Sequence, residues 1–252
     1  MPVVFRKYGS IREIVRYENK PYEIRVYTSR KRSSVYGPRR FDNARRTRKI
    51  CLWRVSAALE KFGCPLLLTL TFNGDASDAA FANDALRRFQ VRLRAKFPNA
   101  QSLFVPELSP RGRIHFHGLL FNVPLHLGDT RKGKRIVSHG EERKTRTLAK
   151  LWREGFVDAV KTDGSRKLAY YLSKYITKES GQVLFNAMRL LRISHGFPKE
   201  ITIRGEMAEE LERRYSKIKP TREWNGKHDF LGKISKKIYE FVVSTGRQWT
   251  PT

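Results

Sequence analysis

The sequence predicts an α+β fold, a central antiparallel (or mixed) β-sheet with helices packed on its faces. Short apolar runs over residues 65–72, 103–107 and 113–122 are bounded by Pro, Asn-Gly or a Ser109-Pro-Arg-Gly112 turn, the punctuation of strands and hairpins. Longer stretches between them repeat apolar residues three and four apart, the period of a half-buried helix. The resulting order of strand, helix, hairpin, helix, strand, helix suits a layered sandwich.

Taken along the chain, residues 1–50 are dense in Lys and Arg, and Tyr22 to Tyr27 alternates as a short strand would. Asp42 to Phe62 is helical in pattern, with Ile50, Trp53, Ala57 and Ala58 near one face and Gly63 as the stop. Residues 65–72 form a buried central strand. Ser77 to Phe97 reads as an amphipathic helix with Phe81, Ala85, Phe89 and Leu93 in register. Strands over Leu103–Glu107 and Arg113–Asn122 follow, joined by the Ser109–Gly112 turn. Residues 124–146 are polar and basic and are expected as a loop. A short helix at Leu148–Trp152, a strand at Gly155–Lys161 and a helix at Ser165–Lys178 complete the core, and Met207–Tyr215 is helical. The expected organisation is a basic amino-terminal extension (1–64), a core (65–180) and a basic carboxy-terminal extension (181–252).

A formal charge of +28, from 52 Lys and Arg against 24 Asp and Glu, exceeds what solubility needs. It points to a polyanion partner, since each phosphate neutralised releases condensed counterions. The clusters expected to grip DNA are Arg39, Arg40, Arg45 and Arg46, and Arg131, Lys132, Lys134 and Arg135. With 40% hydrophobic and 12% aromatic residues, the chain is no disordered basic tail. Cys51 and Cys64 lack metal-type or CxxC spacing, as in a reduced intracellular protein. The first residues carry no apolar signal core, and the apolar run near Leu66–Leu70 is far short of a membrane span. A soluble, cytoplasmic protein without a membrane partner is expected.

The chemistry lies in two segments. On a strand around residue 115, His115, His117, Leu119 and Phe121 share one face. The two imidazoles sit about 7 Å apart along the strand. Histidines among core residues need a bond or a ligand each, so the pair fits either a hydrogen-bond network or a cation. A hairpin brings Glu107 beside them, and two neutral imidazoles plus one carboxylate leave positions open on a divalent ion. Oxygen-rich coordination completed by substrate favours Mg²⁺ or Mn²⁺, while the same donor set also suits zinc. Glu107 could instead pair with Arg111 or Arg113.

On the helix after residue 165, Leu168, Leu172 and Ile176 recur at four-residue spacing, with Tyr171 and Tyr175 on the border of that stripe. A border tyrosine can pack its ring and still aim its hydroxyl at a substrate. Tyr170 aligns with Lys174 on another face. Lys174 could neutralise a phosphate or ease formation of a phenolate, or could simply extend into solvent.

Residues 65–180 together resemble the HUH endonucleases, specifically the rolling-circle replication initiators of single-stranded DNA phages and plasmids. Leu67-Leu-Thr-Leu-Thr-Phe72 is similar to the family's first, structural motif. His115-Phe-His117 resembles its metal motif, with Glu107 upstream where a third ligand is often found. Tyr171-Leu-Ser-Lys174-Tyr175 resembles its nucleophile motif. The resemblance implies an antiparallel sheet carrying the histidines beneath a tyrosine helix, a topology shared with RNA-recognition (RRM-like) domains. It also implies a site-specific nickase and strand-transferase with Tyr171, Tyr175 and Lys174 as catalytic residues and His115, His117 and Glu107 as metal ligands. Attack by tyrosine would leave a 5′-phosphotyrosine and a free 3′-hydroxyl. Its substrate would be single-stranded or origin DNA. No Walker-type phosphate loop is present, so a host helicase and polymerase are the expected partners, in the cytoplasm of a prokaryotic host cell.

Two other readings compete. A small HUH-type transposase would use the same chemistry to join strands, whereas a relaxase usually places its tyrosine before its histidines. A non-catalytic module would stack bases on sheet aromatics such as Phe104 and Phe116.

Overall fold

The computed structural model describes residues 1–19, 41–74, 77–123, 131–132, 135–136, 142–177 and 188–241. In chain order the elements are β1 (Val3–Tyr8), β2 (Ile11–Tyr17), α1 (Phe41–Phe62), β3 (Leu66–Thr71), α2 (Ala79–Lys96), β4 (Gln101–Leu108) and β5 (Ile114–Phe121). They continue with β6 (Arg131–Lys132), β7 (Arg135–Ile136), α3 (Glu142–Trp152), β8 (Val157–Lys161), α4 (Lys167–Thr177) and β9 (Arg192–Ile193). The last are β10 (Ile201–Arg204), α5 (Glu206–Tyr215), β11 (Arg222–His228) and β12 (Gly232–Glu240). The chain divides into two units, Ser33–Pro198 and Met1–Arg32 with Lys199–Thr252. These boundaries differ from a core flanked by two extensions, because strands from both ends of the chain share one sheet.

In the unit 33–198, five strands lie in the order β8-β3-β5-β4-β9, and every neighbouring pair is antiparallel. The fold is thus α+β, and among the described residues this sheet has no parallel pair. Both of its faces are covered. Trp152 of α3 and Phe89 of α2 pack toward Phe116 and Phe104 on one side. Phe62 of α1 and Tyr175 of α4 meet Phe121 and His117 on the other. Double coverage explains why β5 is apolar on almost every residue, since strands buried on both faces lose the in–out alternation.

The helices begin and stop for local reasons. Asp78 caps α2 by accepting from the Ala80 amide at 2.8 Å. Gly63, at φ +76°, ends α1 with its amide bonded to the Leu59 carbonyl. The buried stripe of α1 runs through Cys51, Val55 and Ala58, one position round from Ile50 and Trp53. Lys49 lies over the half-buried Trp53 ring at 5.0 Å. On α2 the core residues are Ala82, Ala85, Leu86, Phe89 and Leu93. Phe81 is instead 44% exposed at the margin, although its ring is 5.6 Å from Phe72.

Two close approaches shape the sheet. A Cβ on Gly118 would lie 2.2 Å from the Phe104 ring, so this glycine lets the phenylalanine of β4 lie across β5. At Gly155 (φ +156°), a Cβ would lie 2.2 Å from the Thr71 carbonyl oxygen. The loop there clasps the end of β3, where the Trp152 indole donates to that same oxygen at 2.9 Å.

Part of the expected loop 124–146 is structured. Arg131–Lys132 pairs with Arg135–Ile136, and α3 starts at Glu142. A first turn made of charged residues carries no apolar period by which to recognise it. Tyr22–Tyr27 lies outside the described residues.

The other unit is a five-stranded antiparallel sheet in the order β10-β1-β2-β12-β11. Helix α5 packs on it, with Val3, Phe5, Ile14, Ala208 and Tyr239 forming its core. Glu13 is 1% exposed and paired with Arg6 at 2.7 Å and Lys236 at 2.6 Å, which offsets the cost of burying its charge. β1 and β2 hide in a stretch that reads only as basic, because Arg and Lys alternate there with Val, Ile and Tyr. Among the described residues no helix is long and apolar enough to cross a membrane.

Candidate active site

Strand register assembles the site. On β5, His115 stands opposite Glu107 of β4 and Thr71 of β3, and His117 stands opposite Val105 and Thr69. Directly opposed residues share a face, so Glu107, His115, His117, Thr69 and Thr71 form one polar patch on the α4 side of the sheet.

Contacts within the patch are specific. The His117 Nε2 lies 2.6 Å from Glu107 Oε2, and its Nδ1 lies 3.3 Å from Thr69 Oγ1. The His115 Nδ1 lies 3.3 Å from Thr71 Oγ1. Burial pushes the pKa of both histidines down, partly opposed by Glu107; Arg113 adds to the lowering at His115, and His115 and Lys174 add to it at His117. Both rings are therefore held neutral, the form that ligates a metal.

Helix α4 lays its tyrosines over this patch. Its buried side is formed by Ala169, Leu172, Ser173, Tyr175 and Ile176. The Tyr175 ring stacks on His117 at 4.2 Å and 8°. Tyr171 meets His117 edge-on at 6.4 Å and Tyr175 at 5.4 Å. The Tyr175 hydroxyl donates to the Tyr171 hydroxyl at 2.8 Å. Tyr175 is 5% exposed, and its pKa is driven far up by burial and then by its bond to Tyr171. It is a neutral donor. Lys174 sets its ammonium 4.3 Å from the Tyr171 ring centre and 4.9 Å from that of Tyr175. Tyr170, one helical turn before Lys174, is 48% exposed.

All six residues expected in the catalytic and metal groups thus lie on β4, β5 or α4 around one patch. Among the described residues no three metal-type donors converge on one point; Glu107 is engaged with His117. The donor set still fits a divalent cation in kind and in face: two neutral imidazoles and a carboxylate, with one nitrogen and one oxygen already 2.6 Å apart.

The residues expected to grip DNA are less fully described. Arg45 and Arg46 are exposed on the first turns of α1. Arg39, Arg40 and Lys134 lie outside the described residues, and Arg131, Lys132 and Arg135 are described only as backbone of β6 and β7. Phe104 and Phe116, which a base-stacking module would need on its surface, are fully buried. From sequence the strand 67–72 stands only as a structural element, so Thr69 and Thr71 are site residues that the structure adds. Their signal was a two-residue polar alternation in an otherwise all-Leu strand, set opposite a His-x-His strand.

Residues 65–180 match the model of the family Replication-associated protein ORF2/G2P, in keeping with a rolling-circle initiator. No curated protein and no solved structure gives a significant match to the chain.

Proposed function

We propose, from a segment that matches replication-associated proteins, that this chain starts rolling-circle replication by nicking one DNA strand through tyrosine transesterification. The observation that carries the reading is the Tyr171 hydroxyl, hydrogen-bonded by Tyr175 beside the His117–Glu107 pair. Tyr171 is the nucleophile. Its hydroxyl gives its proton to solvent as the oxygen attacks the scissile phosphate. The bond from phosphorus to the 3′-oxygen breaks, that oxygen takes up a proton to become a 3′-hydroxyl, and the strand's 5′ end is held as a phosphotyrosine ester. The ester retains the bond energy, so a later 3′-hydroxyl can reverse the step and rejoin the strand without ATP.

Tyr175 donates to the Tyr171 oxygen at 2.8 Å, which orients that oxygen beside the His117–Glu107 pair. Lys174, over both rings, adds positive charge where negative charge collects. His115, His117 and Glu107 would hold Mg²⁺ or Mn²⁺, which when bound supplies Lewis-acid polarisation of the phosphate. A host helicase and polymerase would act on the opened strand and the free 3′-hydroxyl. An HUH-type transposase would use the same groups, and strand-joining assays with hairpin-ended DNA separate the two.

The test is incubation with a pool of labelled single-stranded DNA and Mn²⁺, followed by a denaturing gel. A cation-dependent covalent adduct that disappears in Tyr171→Phe is expected. DNA binding without an adduct across the pool, with either Mn²⁺ or Mg²⁺, would sink the proposal.

A further inference from the structure

The two threonines of β3 repeat one arrangement. Thr69 faces His117 and Thr71 faces His115 across the same pair of strands, and each hydroxyl lies 3.3 Å from the Nδ1 of its histidine. Their alternation within Leu66–Thr71 places every second residue of β3 on the histidine face. Leu66, Leu68 and Leu70 fill the opposite one, each nearly or fully buried.

The contact determines what each nitrogen can do. In a neutral imidazole one nitrogen carries the proton and the other a lone pair. At 2.6 Å from the Glu107 carboxylate, the His117 Nε2 carries the proton as donor, so Nδ1 accepts from the Thr69 hydroxyl. A cation needs the reverse: a lone pair on Nε2 and a proton on Nδ1. A backbone carbonyl at Nδ1 would tolerate only that second form. A hydroxyl serves both, because it rotates between donating and accepting.

We propose that Thr69 and Thr71 are positioning residues: they hold His117 and His115 by Nδ1, and at His117 the hydroxyl lets Nε2 give up its proton and become free to ligate a divalent cation without the ring turning. The proposal rests on the metal-assisted reading above. In the exchange at His117 the Nε2–H bond breaks, an Nδ1–H bond forms and solvent water carries the proton between them. The ring stays neutral throughout. Glu107 is released from its hydrogen bond to serve as a ligand. The stack of Tyr175 on His117 fixes the plane of the ring, and the contact of Thr69 with Nδ1 fixes which edge faces Glu107.

The test uses the full chain with ¹⁵N-labelled histidine at slightly alkaline pH, where the ring-nitrogen shifts report which nitrogen bears the proton. Without cation, the wild-type His117 proton should reside on Nε2, and titration with Mg²⁺ should move it to Nδ1. Thr69→Val should leave the proton on Nε2, where Glu107 holds it, but hinder its move to Nδ1 on Mg²⁺ addition, because an Nδ1 proton would lack its acceptor. Thr71→Val should alter the His115 signals. Each should weaken Mg²⁺ binding, followed by calorimetry, by about 10- to 100-fold. Valine is a good strand residue of nearly the same shape, so the fold should persist. Thr69→Ser and Thr71→Ser, which restore the hydroxyl, should recover both readouts. Cation uptake by the valine variants with wild-type shifts and affinity would overturn the threonine role alone. A wild-type chain that takes up neither Mg²⁺ nor Mn²⁺ would overturn the metal reading, and the exchange with it.

Discussion

Two tyrosines one helical turn apart suggest two interchangeable nucleophiles, and their surroundings argue for unequal work. Tyr175 is packed flat on His117 with its hydroxyl bonded to that of Tyr171, so in the proposed reaction its contribution would be a hydrogen bond to a developing charge. Such a bond is worth about 1.5–3 kcal/mol. Tyr175→Phe, which keeps the stack, should slow adduct formation about 10- to 100-fold while leaving the adduct on Tyr171, as peptide mapping would read. An adduct rate equal to wild type, lost only in the double variant, would instead mark Tyr175 as a second nucleophile.

The histidines make a second prediction. Their folded pKa values lie below the ordinary value of about 6.5, chiefly through burial. As pH falls below that value, the unfolded chain binds protons that folded His115 and His117 refuse. Stability present above about pH 6.5 is therefore lost as pH falls toward the folded values. With a chelator present, Tm should drop across that window, and the drop should shrink in the double variant His115→Gln, His117→Gln.

Strand β5 carries the site only because its neighbours hold it in register. Gly118 sits between His117 and Leu119, and any Cβ there would meet the fully buried Phe104 ring at 2.2 Å and the Leu103 carbonyl at 2.8 Å. Neither can move aside into solvent. Gly118→Ala should cost about 1–3 kcal/mol, the usual range for overpacking a core, read as a lower denaturation midpoint. By shifting β4 against β5 it should also disturb the Glu107–His117 contact. Helix α4 was legible because its apolar spacing is regular, yet its rotation was not. Helical spacing aligns Lys174 with Tyr170 and sets it between Tyr171 and Tyr175 in sequence, and packing brings its ammonium over the rings of those last two.

A net charge of +28 makes DNA affinity a function of salt. Arg45 and Arg46 stand exposed on α1, and each phosphate contact removed should reduce the slope of log K against log salt by about 0.7 to 0.9. The double variant Arg45→Ala, Arg46→Ala should thus flatten the slope by up to roughly twice that amount without abolishing the adduct at low salt. An unchanged slope would take both arginines out of the interface. The division into two units bears on such experiments as well. Residues 1–17 supply two inner strands of a sheet completed by residues 201–240, so trimming either end removes part of a shared core rather than a dispensable tail.

Local periodicity and punctuation determined most of the elements between residues 41 and 177. A buried helix or strand must repeat its apolar residues at its own period, and Gly63 or Ser109–Gly112 must end it. The His-x-His face, the hairpin bringing Glu107 alongside and the spacing of Tyr171 and Tyr175 follow from the same periods. Strands β1, β2, β11 and β12 escaped because Lys and Arg alternate with their few apolar residues, and the pairing of β2 with β12 joins opposite ends of the chain, a partner that no local pattern records. Pairing decided what touches what. Opposition of β3 to β5 gave each histidine its threonine, and packing of α4 on the sheet laid Tyr175 on His117. Hydrogen bonds and ring stacks act over a few ångströms, so only the assembled sheet and helix determine which of them form.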